Sequence, residues 1–246
     1  MSIIEGRNPV IEALKSGREI DRILIAKNLH GTDKIWTLAR ERGVSVSQTD
    51  RAKLDGMTVT NAHQGVIAVV AAHHYVSVDD ILRAAEQKGE PPFIIVLDEV
   101  TDPHNLGAVI RTANAAGAHG VIIPKRRSAG LTETVVKTSA GAVEYTPVAR
   151  VANLARTIDD LKRENIWFYG ANRDATLSYT DADFKGGAGI IIGGEGAGIG
   201  RLIAEKCDFL VSIPMKGRID SLNASVAAGV LMYEVVKQRR IHTVSN

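Results

Sequence analysis

Cysteine is almost missing from this sequence. Cys207 is the only one, and a lone thiol closes no internal disulfide. No His/Cys spacing suits a zinc site, so no metal is expected. The start, "MSIIEGRNPVIEALKSGREIDR", lacks a long apolar run behind a basic patch and does not read as a signal peptide. No apolar stretch is long enough to span a bilayer. Together these gaps point to a reducing, cytoplasmic setting without a membrane partner. Aromatics are scarce at 4%. Charge of one sign is scarce as well. The formal net charge is +2, which allows a nucleic-acid partner without arguing for one. Two nucleotide signatures are also absent. There is no G-x-x-x-x-G-K-[ST], which excludes a Walker loop. "IIIGGEGAGIGRL" resembles a dinucleotide loop, but counted from Gly194 the G-x-G-x-x-G pattern needs glycine where Ile199 stands.

What is present is a core-forming palette. The chain has 246 residues, 45% hydrophobic and 24% charged, which suits one large or two ordinary domains. Its Ala, Val, Ile and Gly are the usual material of parallel strands covered by helices. Residues 1–72 read as α-β-α-β-(short α)-β, from "NPVIEALKSG" through "GVIAVVAA". Residues 73–92, "HHYVSVDDILRAAEQKGEPP", are polar, acidic and closed by two prolines. They read as a linker carrying a short helix. Residues 93–246 alternate strand and helix: "FIIVLD", "GVIIP", "EYTPV", "IWFYG", "AGIIIGG" and "DFLVSIP" are strands with helices between them. This predicts an α/β fold with a mostly parallel, doubly wound sheet. Such sheets bind ligands beyond the carboxyl ends of their strands, so the loops after Asp98, Gly193 and Pro214 are the candidates.

The first loop opens "DPHNLGAVIRTANAAG". Asp102 or Asn105 is a helix cap. Arg111 lies among the apolar residues Val109, Ile110 and Ala113. It either snorkels to the surface or pairs with Asp98, or it is aimed at a phosphate or a developing oxyanion. In the second loop the glycines allow a tight turn close to a ligand, with Glu195 alone among them. The third runs into "SLNASVAAGVLMYEVVKQRR". Ser221 or Asn223 caps the last helix, yet three hydrogen-bonding side chains crowd a place where one would serve. The small residues Ala224, Ala227, Ala228 and Gly229 suit burial against the sheet, a subunit interface, or both.

Taken together, the three loops resemble the motifs of the SpoU branch of the SPOUT RNA 2′-O-ribose methyltransferases. The matching segments are "DPHNLGAVIRTANAAGAHGVI", "IIGGEGAGI" and "IPMKGRIDSLNASVAAGVLMYE", in that order. "IEGRNPVIEAL" is similar to the start of the RlmB-type subgroup, which methylates a guanosine ribose in 23S ribosomal RNA. The resemblance implies a smaller N-terminal α/β RNA-binding domain and a C-terminal parallel-sheet domain threaded into a deep trefoil knot. It implies S-adenosylmethionine (AdoMet) as methyl donor, held at Gly193, Gly194, Ile213, Ser221 and Leu222, with no metal. It implies Arg111, Asn105, Glu195, Ser221 and Asn223 as catalytic positions and a homodimer formed through the knot helices. Gly194 departs from the Ser or Ala common in relatives.

Within that resemblance, a charged Arg111 binding phosphate and stabilising an alkoxide is easier to defend than a neutral base, because guanidinium loses its proton only above about pH 12. Lys125, Arg126 and Arg127 either form a solvated loop or grip RNA phosphate. Arg7, Arg18, Arg22, Lys27 and Lys53 are the N-terminal candidates for RNA contact. A tRNA 2′-O-methyltransferase of the same family is one alternative. A non-catalytic RNA-binding or ribosome-assembly protein is another.

Overall fold

The structure, a computed structural model, describes residues 3–244 apart from Val59 and Asn61. Two compact units make up the chain. One comprises Met1–His74 with Gly130–Thr134, the other Tyr75–Ala129 with Val135–Asn246.

The first unit is built from β1 (Ile3–Glu5), α1 (Arg7–Lys15), β2 (Ile20–Ala26), α2 (Asp33–Glu41), β3 (Ser45–Thr49), α3 (Arg51–Asp55) and β4 (Val66–Val70). Its sheet has the order β1-β4-β2-β3, with only β2 and β3 parallel. Val10, Leu14, Ile23, Ile25, Ile35 and Val66 form its core. The strand β1 leaves no mark in the sequence pattern, because three residues are too few to display a period.

From residue 75 the order is α4 (Val78–Lys88), β5 (Phe93–Asp98), α5 (Pro103–Ala115), β6 (Gly120–Pro124), α6 (Glu133–Thr138), β7 (Val148–Val151), α7 (Leu154–Lys162), β8 (Ile166–Ala171), β9 (Leu177–Ser178), β10 (Gly187–Gly193), α8 (Arg201–Ala204), β11 (Phe209–Ser212) and α9 (Ala224–Val244). Seven strands form one sheet in the order β7-β6-β5-β10-β8-β11-β9. Every neighbouring pair in it is parallel. All six residues of β5 are buried, as the apolar run "FIIVL" leading to Asp98 suits a strand covered on both faces. On one face Ile81, Ile158, Leu161 and Ile203 from α4, α7 and α8 meet Val96, Ile122, Phe168 and Ile191. On the other, α5 packs against α9, and α9 against β10.

Some elements differ from expectation. The run "EYTPV" is mostly turn: Ala142–Glu144 forms a 3-10 helix, and β7 starts only at Val148. The strand β9, two residues long, is again too short to show a period. The 73–92 segment holds α4, closed at its start by a reciprocal Ser77–Asp80 capping box and at its end by Gly89 in the left-handed region. Ile81 and Ala85 of α4 are buried, so this helix packs as part of the unit.

Strand order reverses between β5 and β10. The chain winds outward from β5 through β6 and β7, then returns to build β8, β10 and β11 on the other side. That switch point is where a doubly wound sheet opens a crevice.

Candidate active site

Three loops converge beyond the β5, β10 and β11 ends. Asp102 caps α5, its Oδ1 accepting from the His104 amide at 3.0 Å, with Pro103 opening the helix. That frees Asn105 from capping. Asn105 is 5% exposed, and its Nδ2 donates to Glu195 Oε1 at 2.8 Å.

Asn223 performs two tasks. Its Oδ1 accepts from the Ser225 amide at 2.9 Å and the Val226 amide at 3.4 Å, and so caps α9. Ser225 Oγ joins the same oxygen at 2.6 Å. Asn223 Nδ2 donates to Asn105 Oδ1 at 3.0 Å and to Glu195 Oε1 at 2.8 Å. One carboxylate oxygen therefore receives two amide donors, and each amide is fixed in orientation by its other partners. Ser221 is exposed and takes no part in the cap.

The glycine loop between β10 and α8 is sterically exacting. A Cβ on Gly193 would lie 2.0 Å from the Gly198 carbonyl carbon, and one on Gly194 would lie 2.5 Å from the Glu99 carbonyl oxygen. Gly196 and Gly198 take φ values of 84° and 67°, which side-chain-bearing residues rarely adopt.

A cavity of 500 Å³ opens against this loop. Gly193, Gly194, Ile213, Ser221 and Leu222 all line it, together with Glu195 and Asn223. Asn105 backs the network from behind, and neither it nor Arg111 is in the lining. Arg111 stands exposed on α5, and among the described residues no hydrogen bond or ion pair engages its guanidinium. The pairing with Asp98 that the spacing allows is not formed. Asp98 accepts instead from the Gly200 amide at 2.8 Å. Burial, the largest influence, raises the Asp98 carboxyl above its ordinary value, while the Gly200 hydrogen bond pulls the other way.

A fourth loop joins the site without having been expected there. Ala171, Asn172, Arg173 and Asp174, after β8, line the same cavity, as do Met215 and Asp220. Arg173 donates to Asp220 at 2.6 Å and ties the β8 loop to the segment before α9. The signal available was "YGANRD" following a strand, with an Asn172 turn closed on the Asp174 amide at 2.8 Å. The cavity's charged lining is Arg173 against Asp174, Glu195 and Asp220, an acidic balance.

Cys207 lies off this site, with its thiol pushed up to about 12 by burial. Among the described residues, no three His, Cys, Asp or Glu side chains gather to hold a metal ion. No described helix is long and apolar enough to cross a membrane.

Residues 92–233 match the SpoU rRNA Methylase family, and residues 3–76 match the RNA 2′-O ribose methyltransferase substrate binding family. The chain belongs to the SpoU methylase family. The first match spans all three converging loops, and the second covers the small four-stranded unit. YacO of Bacillus subtilis, assigned to the TrmH family of tRNA/rRNA methyltransferases, is 51% identical over 95% of this chain and 94% of its own. A TrmH-family relative from Staphylococcus haemolyticus is 44% identical, covering 96% of each chain. The SpoU methyltransferase AviRb from Streptomyces viridochromogenes, solved in complex with AdoMet, superposes with a TM-score of 0.63. It is 27% identical, covering 97% of this chain and 90% of that one. An AdoMet-bound rRNA methyltransferase from Sinorhizobium meliloti gives a TM-score of 0.59 at 27% identity, over 96% and 86%.

Proposed function

We propose that this RNA methyltransferase moves the methyl group of AdoMet to the ribose 2′-hydroxyl of a guanosine in 23S ribosomal RNA. The observation that carries the reading is the Asn105–Glu195–Asn223 network at the edge of a cavity built from the glycine loop.

The cavity fits the methyl donor. Its 500 Å³ falls within the roughly 300–1,000 Å³ usual for small-molecule sites. Its acidic balance complements a ligand carrying a sulfonium and an ammonium. Gly193, Gly194, Ile213, Ser221 and Leu222 are assigned to hold it, largely through backbone groups. When bound, AdoMet supplies an electrophilic methyl on a positively charged sulfur. The O–CH3 bond forms as the S–CH3 bond breaks to leave S-adenosylhomocysteine, and the hydroxyl proton passes to solvent water. The protein's task is to orient the 2′-hydroxyl and stabilise its oxygen meanwhile. Arg111 is assigned that stabilisation, remaining charged and gripping the neighbouring phosphate. A guanidinium without a hydrogen-bond or ion-pair partner among the described residues is available to an incoming anion. Asn105 and Asn223 hold Glu195 in place, and Ser221 borders the reacting end.

The first unit is assigned to RNA recognition, with Arg7, Arg18, Arg22, Lys27 and Lys53 as candidate contacts. The deep trefoil knot and a homodimer through α9 belong to the same reading. Val226 and Tyr233, 50% and 52% exposed on α9, leave that helix an apolar face for a second copy. The protein acts where its RNA is made, in the cytoplasm.

The test is to incubate the protein with labelled AdoMet and, separately, unmodified 23S RNA, 16S RNA and bulk tRNA, and to map the labelled nucleotide. Label on a guanosine ribose of 23S RNA is expected. Label on tRNA alone moves the substrate to tRNA, and label on a base overturns the ribose assignment.

A further inference from the structure

Asp98 ends β5 and is 7% exposed. It is not in the cavity lining, and methyl transfer assigns it no role. A carboxylate buried this deeply is costly unless it is paired. Its partner is the Gly200 amide, 2.8 Å from Oδ2 and 102 residues away in sequence. Among the described residues no other acceptor serves that amide.

The surroundings show what this bond restrains. Asp98 stands opposite Gly193 in the β5–β10 ladder. From Gly193 the chain doubles back, with the Gly198 amide donating to the Gly194 carbonyl at 3.1 Å. The next residue of β5's exit, Glu99, holds a left-handed φ of 57°, an unfavourable conformation for a residue with a side chain. That turn seats the Glu99 carbonyl against Gly194, leaving no room for a Cβ there. The Glu99 carboxylate in turn accepts from Arg127 at 2.8 Å. The exit of β5 therefore meets the glycine loop twice: near its start by the close approach of the Glu99 carbonyl to Gly194, and at its end by the hydrogen bond from Gly200 to Asp98.

Loop 193–200 needs such restraint. It holds five glycines, each of which loses more conformational freedom on ordering than any other residue. A loop already ordered before the ligand arrives spares binding that loss.

We propose that Asp98 is a positioning residue, which pins Gly200 and so holds loop 193–200 in the shape that lines the cavity. The ligand's identity rests on the proposed function; the order of the loop does not.

The decisive comparison is Asp98→Ala, which removes the acceptor, with Asp98→Asn, which keeps an acceptor of the same reach. Asp98→Ala is expected to raise the AdoMet Kd about tenfold, the scale of a hydrogen bond to a charged group. Its kcat at saturating AdoMet should stay within about threefold of wild type. Asp98→Asn is expected to return the Kd to within about threefold of wild type. Wild-type affinity in Asp98→Ala, even with a lowered Tm, overturns the proposal. So does an Asn variant that binds as weakly as the Ala variant. Amide hydrogen exchange on the ligand-free wild-type protein covers the case in which Asp98→Ala does not fold. The Gly200 amide should exchange much more slowly than that of Gly196, which has no hydrogen bond among the described residues. Equal exchange overturns the proposal. A wild-type protein that fails to bind AdoMet would sink the methyl-donor reading, while Gly200 exchange would still decide the role of Asp98.

Discussion

Asn223 shows how one side chain serves stability and site together. Its carbonyl oxygen caps α9 and its amide nitrogen joins Asn105 and Glu195. Asn223→Ala therefore removes both. Loss of the cap is expected to cost about 1 kcal/mol, with an upper bound near 2, and urea unfolding measures it directly. Asn223→Asp keeps the capping oxygen but sets a second carboxylate beside Glu195. Its unfolding midpoint should lie closer to wild type than that of Asn223→Ala, while its methyl-transfer rate falls with the broken network. Equal activity in all three proteins would remove Asn223 from the site.

Arg111 is the opposite case, an exposed side chain whose neighbours on α5 are buried. Truncating it leaves no cavity and orphans no partner among the described residues. Arg111→Ala is expected to unfold within about 0.5 kcal/mol of wild type and to keep its AdoMet affinity. Methyl transfer should nevertheless fall by at least about 100-fold, the scale of removing one donor that stabilises a transition state. Single-turnover methylation with titrated AdoMet separates these quantities. Activity within a few-fold of wild type would end the assignment.

At the scale of elements, the loop after β6 carries Lys125, Arg126 and Arg127. Arg127 is drawn toward Glu99, and that interaction holds its guanidinium above its ordinary range. Lys125 and Arg126 make no ion pair among the described residues and stand at the end of β6, the strand next to β5. Replacing the three with alanine should weaken RNA binding and flatten its dependence on salt, because each phosphate grip removed takes about one unit off the slope. Binding titrations from low to moderate salt give that slope. An unchanged slope assigns the loop to solvent alone. The β8 loop, by contrast, carries only a turn signal in the sequence, and the Arg173–Asp220 tie links it to the segment before α9.

For the whole molecule, one buried histidine gives stability a sign against pH. His119, just before β6, has a side chain closed to solvent. Its Nδ1 accepts from the Phe93 amide at 3.0 Å, and its Nε2 lies 3.2 Å from Glu90. Burial, then the charge of Lys88, lowers its pKa below the ordinary 6.5, with Glu90 opposing. A base with a lowered folded pKa adds stability that is full above 6.5 and is lost as pH falls through the lowered value. Urea unfolding should show this loss below pH 6.5, at up to about 1.4 kcal/mol per pH unit. His119→Gln should flatten the acid limb while lowering stability near neutral pH. An acid limb unchanged in the variant would show that His119 does not drive it.

The sequence by itself determined the parallel α/β class and the order of the loops that follow β5, β10 and β11. Those follow from local signals: buried runs such as "FIIVLD", helical spacing, and glycine-rich turns at strand ends. Asn105, Glu195 and Asn223 were legible as candidates because each sits in such a loop. What joins them was not. Asn105 and Glu195 are 90 residues apart, and Asn105 and Asn223 are 118 apart. Only the sheet order, which sets β5 beside β10, brings them within hydrogen-bonding distance. The same non-local pairing gave Asp98 to Gly200 rather than Arg111 and brought the β8 loop to the cavity. Local preference writes the elements, and long-range packing decides which of their ends share a site.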